Sequence, residues 1–439
     1  MRRLQSASLA AVTVAMLTAS SLVSAATAIT NATILTASGE RQSETTILID
    51  NGVVQAVGQN IPATDDMDVI DAEGRLVTAG FIAASGSLGL VEVGAVRDSV
   101  DSGAKHAQLT AGFKVADAFN PQSSLIAIAR TDGLTSALMM PDLRNEGEEG
   151  AYSRVFAGTA AIADLSGSFS SIRVPEAAVV AYLGDSGQGA AGGSRAAALE
   201  GLRAGLDAGR MFADSKDKGS RFSLPESLVD APFSPADVAQ LAKVVERQLP
   251  LLVVVDKAAE IAQVIRITKQ YGIRTVIMGG AEAWQLANEL AAADIGVIVN
   301  GENNLPVSFD HMGARLDSAA ILAKAGVELS FNGENVGSHN ARNIRQTAGI
   351  AVAHGLPWET AVRALSTSAA HLLGFDGDVG RLQSGGVADL VVWDDDPLEL
   401  QTYPTHVFIN GVPQDLSNRQ TQLRDRYLEM DTPLPHAYR

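Results

Sequence analysis

Both ends of the chain consist of short apolar and β-branched runs separated by turn residues. These strand-like runs cover residues 29–36, 45–50, 53–57, 69–71, 388–393 and 405–409. Asn51-Gly52 joins two of the runs, and Asn410-Gly411 follows the last one. Asn-Gly between β-rich runs is a strong signal for a hairpin. Because open strand edges promote aggregation, we predict that the two ends assemble one small β-sandwich.

The middle of the chain alternates apolar runs with amphipathic helical patterns, most clearly after residue 230. Ser234 is a predicted helix N-cap, with Pro235 in the first turn and Asp237 three residues on. Predicted strands start near 251, 274, 295 and 327, and predicted helices cover 257–271, 281–293 and 314–325 or start near 339 and 357. This repeat predicts a parallel (β/α)8 barrel over residues 80–374. A doubly wound sheet is the alternative, although no Gly-x-Gly-x-x-Gly opens a helix after a strand.

The first residues have the pattern of an export signal. Arg2 and Arg3 precede an apolar run over residues 9–23, and Ala26-Thr27-Ala28 has the small-x-small form of a cleavage site. We therefore predict a signal peptide over 1–28 and a periplasmic or secreted protein. The remaining predicted organisation is a sandwich over 29–79 and 375–415, the barrel over 80–374, and a polar tail over 416–439.

Composition and charge restrict the chemistry. The 439 residues include 50 Asp and Glu against 33 Lys and Arg, for a net charge of −17, so no basic surplus supports binding to nucleic acid. No later segment has the length and hydrophobicity for membrane insertion. The chain has no Cys, so any metal would depend on carboxylates and on its seven His residues.

Four segments together resemble the amidohydrolase superfamily, specifically its imidazolonepropionase-like exported branch. They are residues 71–82, 305–310, 323–327 and 380–393. The resemblance implies a (β/α)8 barrel, a bound zinc or other divalent metal, and hydrolysis of non-peptide C–N bonds. It also implies metal ligands at the ends of particular barrel strands.

Those ligand positions are substituted in this chain. The first-strand His-x-His pair is matched by Ser85 and Ser87, the fifth-strand His by Val254, and the eighth-strand Asp by Asn332. Serine and asparagine are poor zinc ligands, and an asparagine amide is no general base. We therefore predict that the chain holds no metal or other cofactor at these positions, and the resemblance leaves open whether it is an enzyme.

Polar residues remain at the predicted mouth of the barrel. Asn332, Glu334 and His339 are weak catalytic candidates, and Glu302 with Glu334 is the only candidate carboxylate pair. The candidates for a ligand pocket are Asp256, Glu282, Asn300 and Glu302. His106, His311 and His339 are expected near this face. Each of these residues also has a plain structural interpretation, as a solvated or hydrogen-bonded part of a loop.

Three hypotheses for function follow. The leading one is a non-catalytic or accessory subunit, a pseudoenzyme that pairs with a homologous amidohydrolase subunit or with a second copy of itself. The second is an active hydrolase of amide or cyclic-amide bonds with an unconventional site around Asn332, Glu334 and His339. The third is a periplasmic protein that binds a small polar ligand.

Overall fold

The structure is a computed structural model. It describes residues 26–36, 39–104, 109–143, 155–217, 233–302, 304–333, 338–375 and 379–428. None of the helices in this part of the chain combines the length and hydrophobicity of a membrane-spanning segment.

Strands from the two ends of the chain form one eight-stranded sheet. The first end supplies β1 (Thr27–Leu35), β2 (Arg41–Asp50), β3 (Val53–Gln59), β4 (Asp68–Asp71) and β5 (Leu76–Ala79). The second end supplies β14 (Leu390–Trp393), β15 (Pro404–Ile409) and β16 (Val412–Pro413). The order is β16-β15-β14-β5-β1-β2-β3, with β4 also paired to β1. The two ends meet where β14 pairs antiparallel with β5, so the predicted assembly from both ends is confirmed.

Both predicted Asn-Gly turns form as hairpins. Asn51 and Gly52 have φ angles of 49° and 79°, and Asn410 and Gly411 have φ angles of 52° and 73°. Two consecutive positive φ angles are what a type I′ turn needs, and Asn and Gly adopt them most readily. The sheet rolls so that Gly386 O accepts a hydrogen bond from Val54 N at 2.9 Å. One face of the rolled sheet buries Ile29, Ile47, Val77, Leu390 and Phe408.

The barrel contains eight strands whose order in the sheet follows the chain. They are β6 (Phe81–Ala83), β7 (Leu134–Met139), β8 (Phe156–Asp164), β9 (Ile172–Tyr182), β10 (Leu251–Val255), β11 (Thr275–Gly279), β12 (Gly296–Val299) and β13 (Leu329–Phe331). Sequential order is that of a barrel, whereas a doubly wound sheet reverses direction at a switch point. The predicted barrel is therefore confirmed and the doubly wound alternative is wrong.

One part of the barrel prediction needs correction. Strand β8 runs antiparallel to both β7 and β9, so the sheet is mixed and not wholly parallel. The physical reason is the connection from β8 to β9, which spans only residues 165–171. A parallel crossover needs about a dozen residues, so this link permits only an antiparallel turn.

Helices surround the barrel and close its outer layer. They are α1 (Ser124–Arg130), α2 (Gly184–Ala190), α3 (Arg195–Asp217), α4 (Pro235–Val245), α5 (Ala258–Tyr271), α6 (Ala287–Ala292), α7 (Ser318–Lys324), α8 (Ile344–Ala353), α9 (Trp358–Ala364) and α10 (Thr367–Leu372). The Ser234 cap is confirmed as a capping box with Asp237 at the start of α4. The helix predicted over 281–293 is a 3-10 turn, Ala283–Leu286, followed by α6. The helix predicted from 314 begins later, at Ser318.

The termini differ from their predicted descriptions. Strand β1 begins at Thr27, so cleavage after Ala28 would remove its first two residues, and Ala28 is fully buried. The segment predicted only as a polar tail contains the exposed helix α11 (Arg419–Leu428). The predicted signal sequence otherwise lies outside the described residues.

An ion-pair network joins the barrel to the terminal sheet. Arg173 Nη2, on β9, donates to Asp389 Oδ1 at 3.1 Å and to Asn410 Oδ1 at 3.0 Å. Arg173 Nε is 3.4 Å from Asp164 Oδ2 on β8. Burial raises the pKa of Asp389, and the charge of Arg173 opposes that rise. The buried carboxylate therefore depends on Arg173 for its compensation.

Candidate functional site

The positions that the resemblance matches to metal ligands lie at the carboxyl ends of the barrel strands, the face on which barrel enzymes place their active sites. Ser85 and Ser87 follow β6, Val254 lies in β10, and Asn332 follows β13. Strands β6 and β13 are the two ends of the barrel sheet. The first and last of these positions therefore face each other across the seam of the barrel.

Ser85 and Asn332 are bonded directly to each other. Ser85 Oγ donates to Asn332 Oδ1 at 2.6 Å, and Ser85 is only 4% exposed. Ser87 begins a turn in which its carbonyl oxygen accepts from Leu90 N at 2.9 Å and Val91 N at 3.0 Å. The hydroxyl and the amide thus link the two edges of the barrel with a neutral hydrogen bond.

Val254 adds an apolar group where the family resemblance implies a ligand. It packs, half-buried, against the cluster inside the barrel that includes Leu252, Met278 and Ile298. The donor set is therefore two hydroxyls, one amide already bonded to Ser85, and an aliphatic side chain. Zinc prefers imidazole, thiolate and carboxylate ligands, so these residues do not fit the metal. Among the described residues, no group of three or more His, Cys, Asp or Glu could hold a metal ion.

Two of the predicted pocket residues hold the loops after β10 and β11. Glu282 is 8% exposed, its Oε2 accepts from Ala258 N at 2.9 Å, and its Oε1 accepts from Gly313 N at 2.9 Å. Asp256 Oδ1 accepts from Ala281 N at 3.1 Å. Both carboxylates occupy the rim of the barrel, and Glu282 is bonded to backbone amides through both of its oxygens.

The other two predicted pocket residues are bonded in the loop after β12. Asn300 Oδ1 accepts from Glu302 N at 3.0 Å, which closes a tight turn. Glu302 Oε1 accepts from Thr347 Oγ1, on α8, at 3.0 Å. Glu302 is thus attached to the outer helix layer, while its proposed partner Glu334 lies outside the described residues.

Of the three catalytic candidates, the structure describes Asn332 and His339. Asn332 is bonded to Ser85, and His339 is exposed in a 3-10 segment, Ser338–Asn343. Glu334 and His106 fall outside the described part of the chain.

A constellation that the sequence did not single out lies on the same rim. His311 Nδ1 is 2.9 Å from Ser308 Oγ, and His311 Nε2 is 3.4 Å from Asp256 Oδ2. Burial raises the pKa of Asp256, and the nearby His311 opposes that rise. The sequence analysis predicts that His311 lies near this face. Ser308 enters that analysis only as part of segment 305–310, which resembles the family. The spacing of Ser308 and His311 by three residues is the one signal that could have indicated the pair.

Arg195 fixes the position of this segment. Its Nη2 is 2.7 Å from Asp310 Oδ1 and 2.7 Å from Asp185 Oδ1, and its Nε is 3.0 Å from Glu260 Oε2. Asp310 Oδ2 also accepts from Asp185 N at 2.9 Å. Burial raises the pKa of Glu260. The hydrogen bond from Gly184 N and the charge of Arg195 oppose that rise. These partners are 10 to 115 residues apart in the sequence, so no local pattern reveals them.

A cavity of about 740 Å³ lies elsewhere in the molecule. It is lined by parts of α7 and α9 and by the approach to β13, including Lys324, Val327 and Glu328. This position is at the amino end of β13, opposite the mouth. In barrels that face contributes to stability, so the cavity is separate from the substituted ligand positions.

Comparisons with known proteins give a consistent result. A family model described as "Amidohydrolase family" matches residues 325–413. The amidohydrolase tasK of Hapsidospora irregularis is 36% identical over 75 residues, which is 17% of this chain and 8% of that protein's length. The match thus spans a small part of that relative.

Solved structures extend the likeness over most of the chain. An amidohydrolase from Thermotoga maritima MSB8 is similar with a TM-score of 0.77 and 22% identity, covering 89% of this chain and 100% of that one. A prolidase complexed with N-methylphosphonate-L-proline is similar with a TM-score of 0.53 and 15% identity, covering 88% and 99%. At these identities the likeness shows a shared fold. Residues 325–413 thus match the amidohydrolase family model, and the fold of the chain is similar to that of amidohydrolases of known structure.

Proposed function

We propose that this chain has lost the metal-dependent C–N bond hydrolysis of its superfamily and acts as a non-catalytic or accessory subunit with respect to that reaction. The observation that carries the proposal is the 2.6 Å hydrogen bond from Ser85 Oγ to Asn332 Oδ1. It joins two positions at which the family resemblance implies metal ligands.

The chemistry of the remaining positions supports the same conclusion. A metal site of this kind acts as a Lewis acid and lowers the pKa of a bound water, which requires ligands that stabilise the cation. Val254 offers no donor atom, and Asn332 has no carboxylate with which to accept a proton from water. Because metal ligands act as a unit, restoring one of them alone would recover little.

Titration with zinc tests this proposal. Full-length protein, purified without chelator, is titrated calorimetrically with Zn²⁺ at neutral pH, beside the variant Ser85→Ala/Asn332→Ala. We expect the two proteins to give the same heat, with no saturable one-to-one binding, because neither offers a ligand set. One tight equivalent in the wild type that is absent from the double variant would refute the proposal.

The partner is proposed to be a homologous amidohydrolase subunit with intact ligands, or a second copy of this chain, in the periplasm or outside the cell. The support is the family fold, combined with substituted ligand positions and the export signal pattern of residues 1–28. Light scattering after size-exclusion chromatography tests whether the chain associates with a homologous subunit or with a second copy of itself. A dimer or a mixed complex is expected, and a monomer that neither associates with nor activates an intact homologue would contradict this role.

The hydrolase hypothesis around Asn332, Glu334 and His339 is favoured by no observation among the described residues. A small-ligand role at the mouth remains testable, because a polar ligand that binds the folded state raises the melting temperature.

A further inference from the structure

We propose that Ser308, His311 and Asp256 form a second, metal-independent site that hydrolyses esters of apolar carboxylic acids. The site lies on the rim of the barrel mouth and uses none of the four substituted ligand positions. The inference does not rest on the proposed function, because it requires neither metal nor a partner subunit.

The three side chains form a series of close polar contacts, of which the Ser308–His311 contact is a hydrogen bond and the His311–Asp256 contact is a charge pair. Asp310 N donates to Ser308 Oγ at 3.2 Å, and Ser308 Oγ lies 2.9 Å from His311 Nδ1. His311 Nε2 faces Asp256 Oδ2 at 3.4 Å. The proposed site requires the tautomer in which Nε2 carries the proton and faces Asp256, so that Nδ1 accepts the proton of the serine hydroxyl. The roles of nucleophile, general base and orienting acid are those of a serine hydrolase, although the two ring nitrogens are exchanged relative to the usual triad.

The fold holds this arrangement in place. Ser308 caps the 3-10 turn Phe309–His311, and His311 N donates to Ser308 O at 3.1 Å. Asp310, which is 3% exposed, anchors the turn to Arg195 at 2.7 Å. A nucleophile and base on a rigid turn are kept near the geometry that proton transfer needs.

The surroundings of Ser308 indicate an apolar acyl group. Val307 and Phe309, on either side of the serine, are 74% and 78% exposed, and Leu305 and Met312 are 64% and 62% exposed. Four large apolar side chains exposed within eight residues form a patch of the kind that marks ligand or partner contact. The side chain of His311 keeps 19% of its surface exposed, so the base is not sealed from solvent.

The reaction balances without a cofactor. Ser308 Oγ attacks the ester carbonyl carbon while its proton moves to His311 Nδ1. The carbon–oxygen bond to the alcohol then breaks, and the alcohol leaves with that proton. Water then attacks the carbonyl carbon of the acyl-serine ester while one of its protons moves to His311 Nδ1. The bond to Ser308 Oγ breaks, His311 returns that proton to the serine oxygen, and the carboxylic acid is released. The net change is ester plus water to acid plus alcohol.

Covalent labelling tests the nucleophile. Full-length protein is treated with a fluorophosphonate probe, and the modified peptide is identified by mass spectrometry. We expect label on Ser308, together with hydrolysis of p-nitrophenyl butyrate. An unlabelled Ser308, under conditions that fully label a known serine hydrolase, would overturn the proposal.

Variants separate catalysis from capping. Ser308→Asp keeps an oxygen that caps the turn, so its melting temperature should stay near that of the wild type while labelling disappears. His311→Ala should slow labelling by roughly 100-fold, the usual effect of a general base. The matched control His354→Ala, at the exposed end of α8, should label at the wild-type rate. Equal rates in His311→Ala and wild type would also overturn the proposal.

Asp256 is a positioning residue, and its test is spectroscopic. Nitrogen-15 shifts of His311 at neutral pH should report the tautomer protonated at Nε2, and Asp256→Asn should weaken that preference while leaving the fold intact. A wild-type histidine protonated at Nδ1 would contradict the proposed series.

Discussion

At the scale of single residues, the most informative contact is the neutral hydrogen bond between Ser85 and Asn332, which lies where the resemblance implies metal ligands. We expect Asn332→Ala to lower the free energy of unfolding by about 1–3 kcal/mol, since it leaves a buried hydroxyl without its acceptor. Chemical denaturation measures the loss.

A second serine supplies the control for that measurement. Ser330, on β13, is fully buried, and its Oγ has no hydrogen-bond partner among the described residues. Ser330→Ala should therefore leave stability unchanged or raise it slightly. If Asn332→Ala costs no more than Ser330→Ala, the Ser85–Asn332 bond does not hold the barrel seam.

The sequence identified single site residues better than it identified their partners. The resemblance to the family predicts substitution at Ser85, Ser87, Val254 and Asn332, and this stays a prediction. The contacts that Asp256 makes with His311, and those that Arg195 makes, could not be predicted, because their partners come from other strands and loops. Local spacing can indicate a pair such as Ser308 and His311, but not the third group, which is 55 positions before His311 in the chain.

At the scale of elements, Glu176 ties β9 to α4 and to the connection between β6 and β7. Its Oε1 is 2.6 Å from Lys114 Nζ and accepts from Gln240 Nε2 at 2.9 Å, and its Oε2 contacts Lys243. Burial works in the opposite direction, yet the net effect of these donors lowers the pKa of Glu176 to about 2. A carboxyl whose pKa is lowered by folding stabilises the fold when the pH is above its pKa in the unfolded state. That stabilisation is lost as the pH falls towards its pKa in the folded state.

This shift predicts a pH-dependent effect of Glu176→Gln. The variant should be less stable than the wild type above pH 4.5, and the difference should shrink as pH falls from 4.5 to about 2. Denaturant unfolding at a series of pH values measures it. A difference that stays constant across this window would show that the ion pairs do not contribute.

The elements themselves were largely predictable. Asn-Gly hairpins and the strands from β10 to β13 follow from turn chemistry and hydrophobic periodicity. The direction of β8 was missed, because a fully buried strand has the same apolar pattern in either direction. The seven residues between β8 and β9 carried the missing information, since they are too few for a parallel crossover.

At the scale of the whole molecule, Arg173 couples the barrel to the sheet built from both chain ends. Its partners Asp164 and Asp389 have side chains that are only 5% and 1% exposed. Arg173→Met should cost about 3–5 kcal/mol, because it leaves buried carboxylates without compensation. Thermal and denaturant unfolding measure the cost, and a single cooperative transition in the wild type should broaden or divide in the variant.

The double variant Arg173→Met/Asp389→Asn is the matched control. It removes the negative charge of Asp389, one of the two buried carboxylates left without a partner by Arg173→Met. The double variant should therefore be more stable than Arg173→Met alone. If both proteins unfold like the wild type, the network does not join the two parts of the molecule.

We propose above that this chain holds no metal at the positions that the resemblance matches to the family's ligands. Metal analysis of the full-length protein, purified without chelator, tests it most directly. We expect less than about 0.1 equivalent of zinc or any other divalent metal per chain. One tightly held equivalent per chain, lost on Asn332→Ala, would contradict the account.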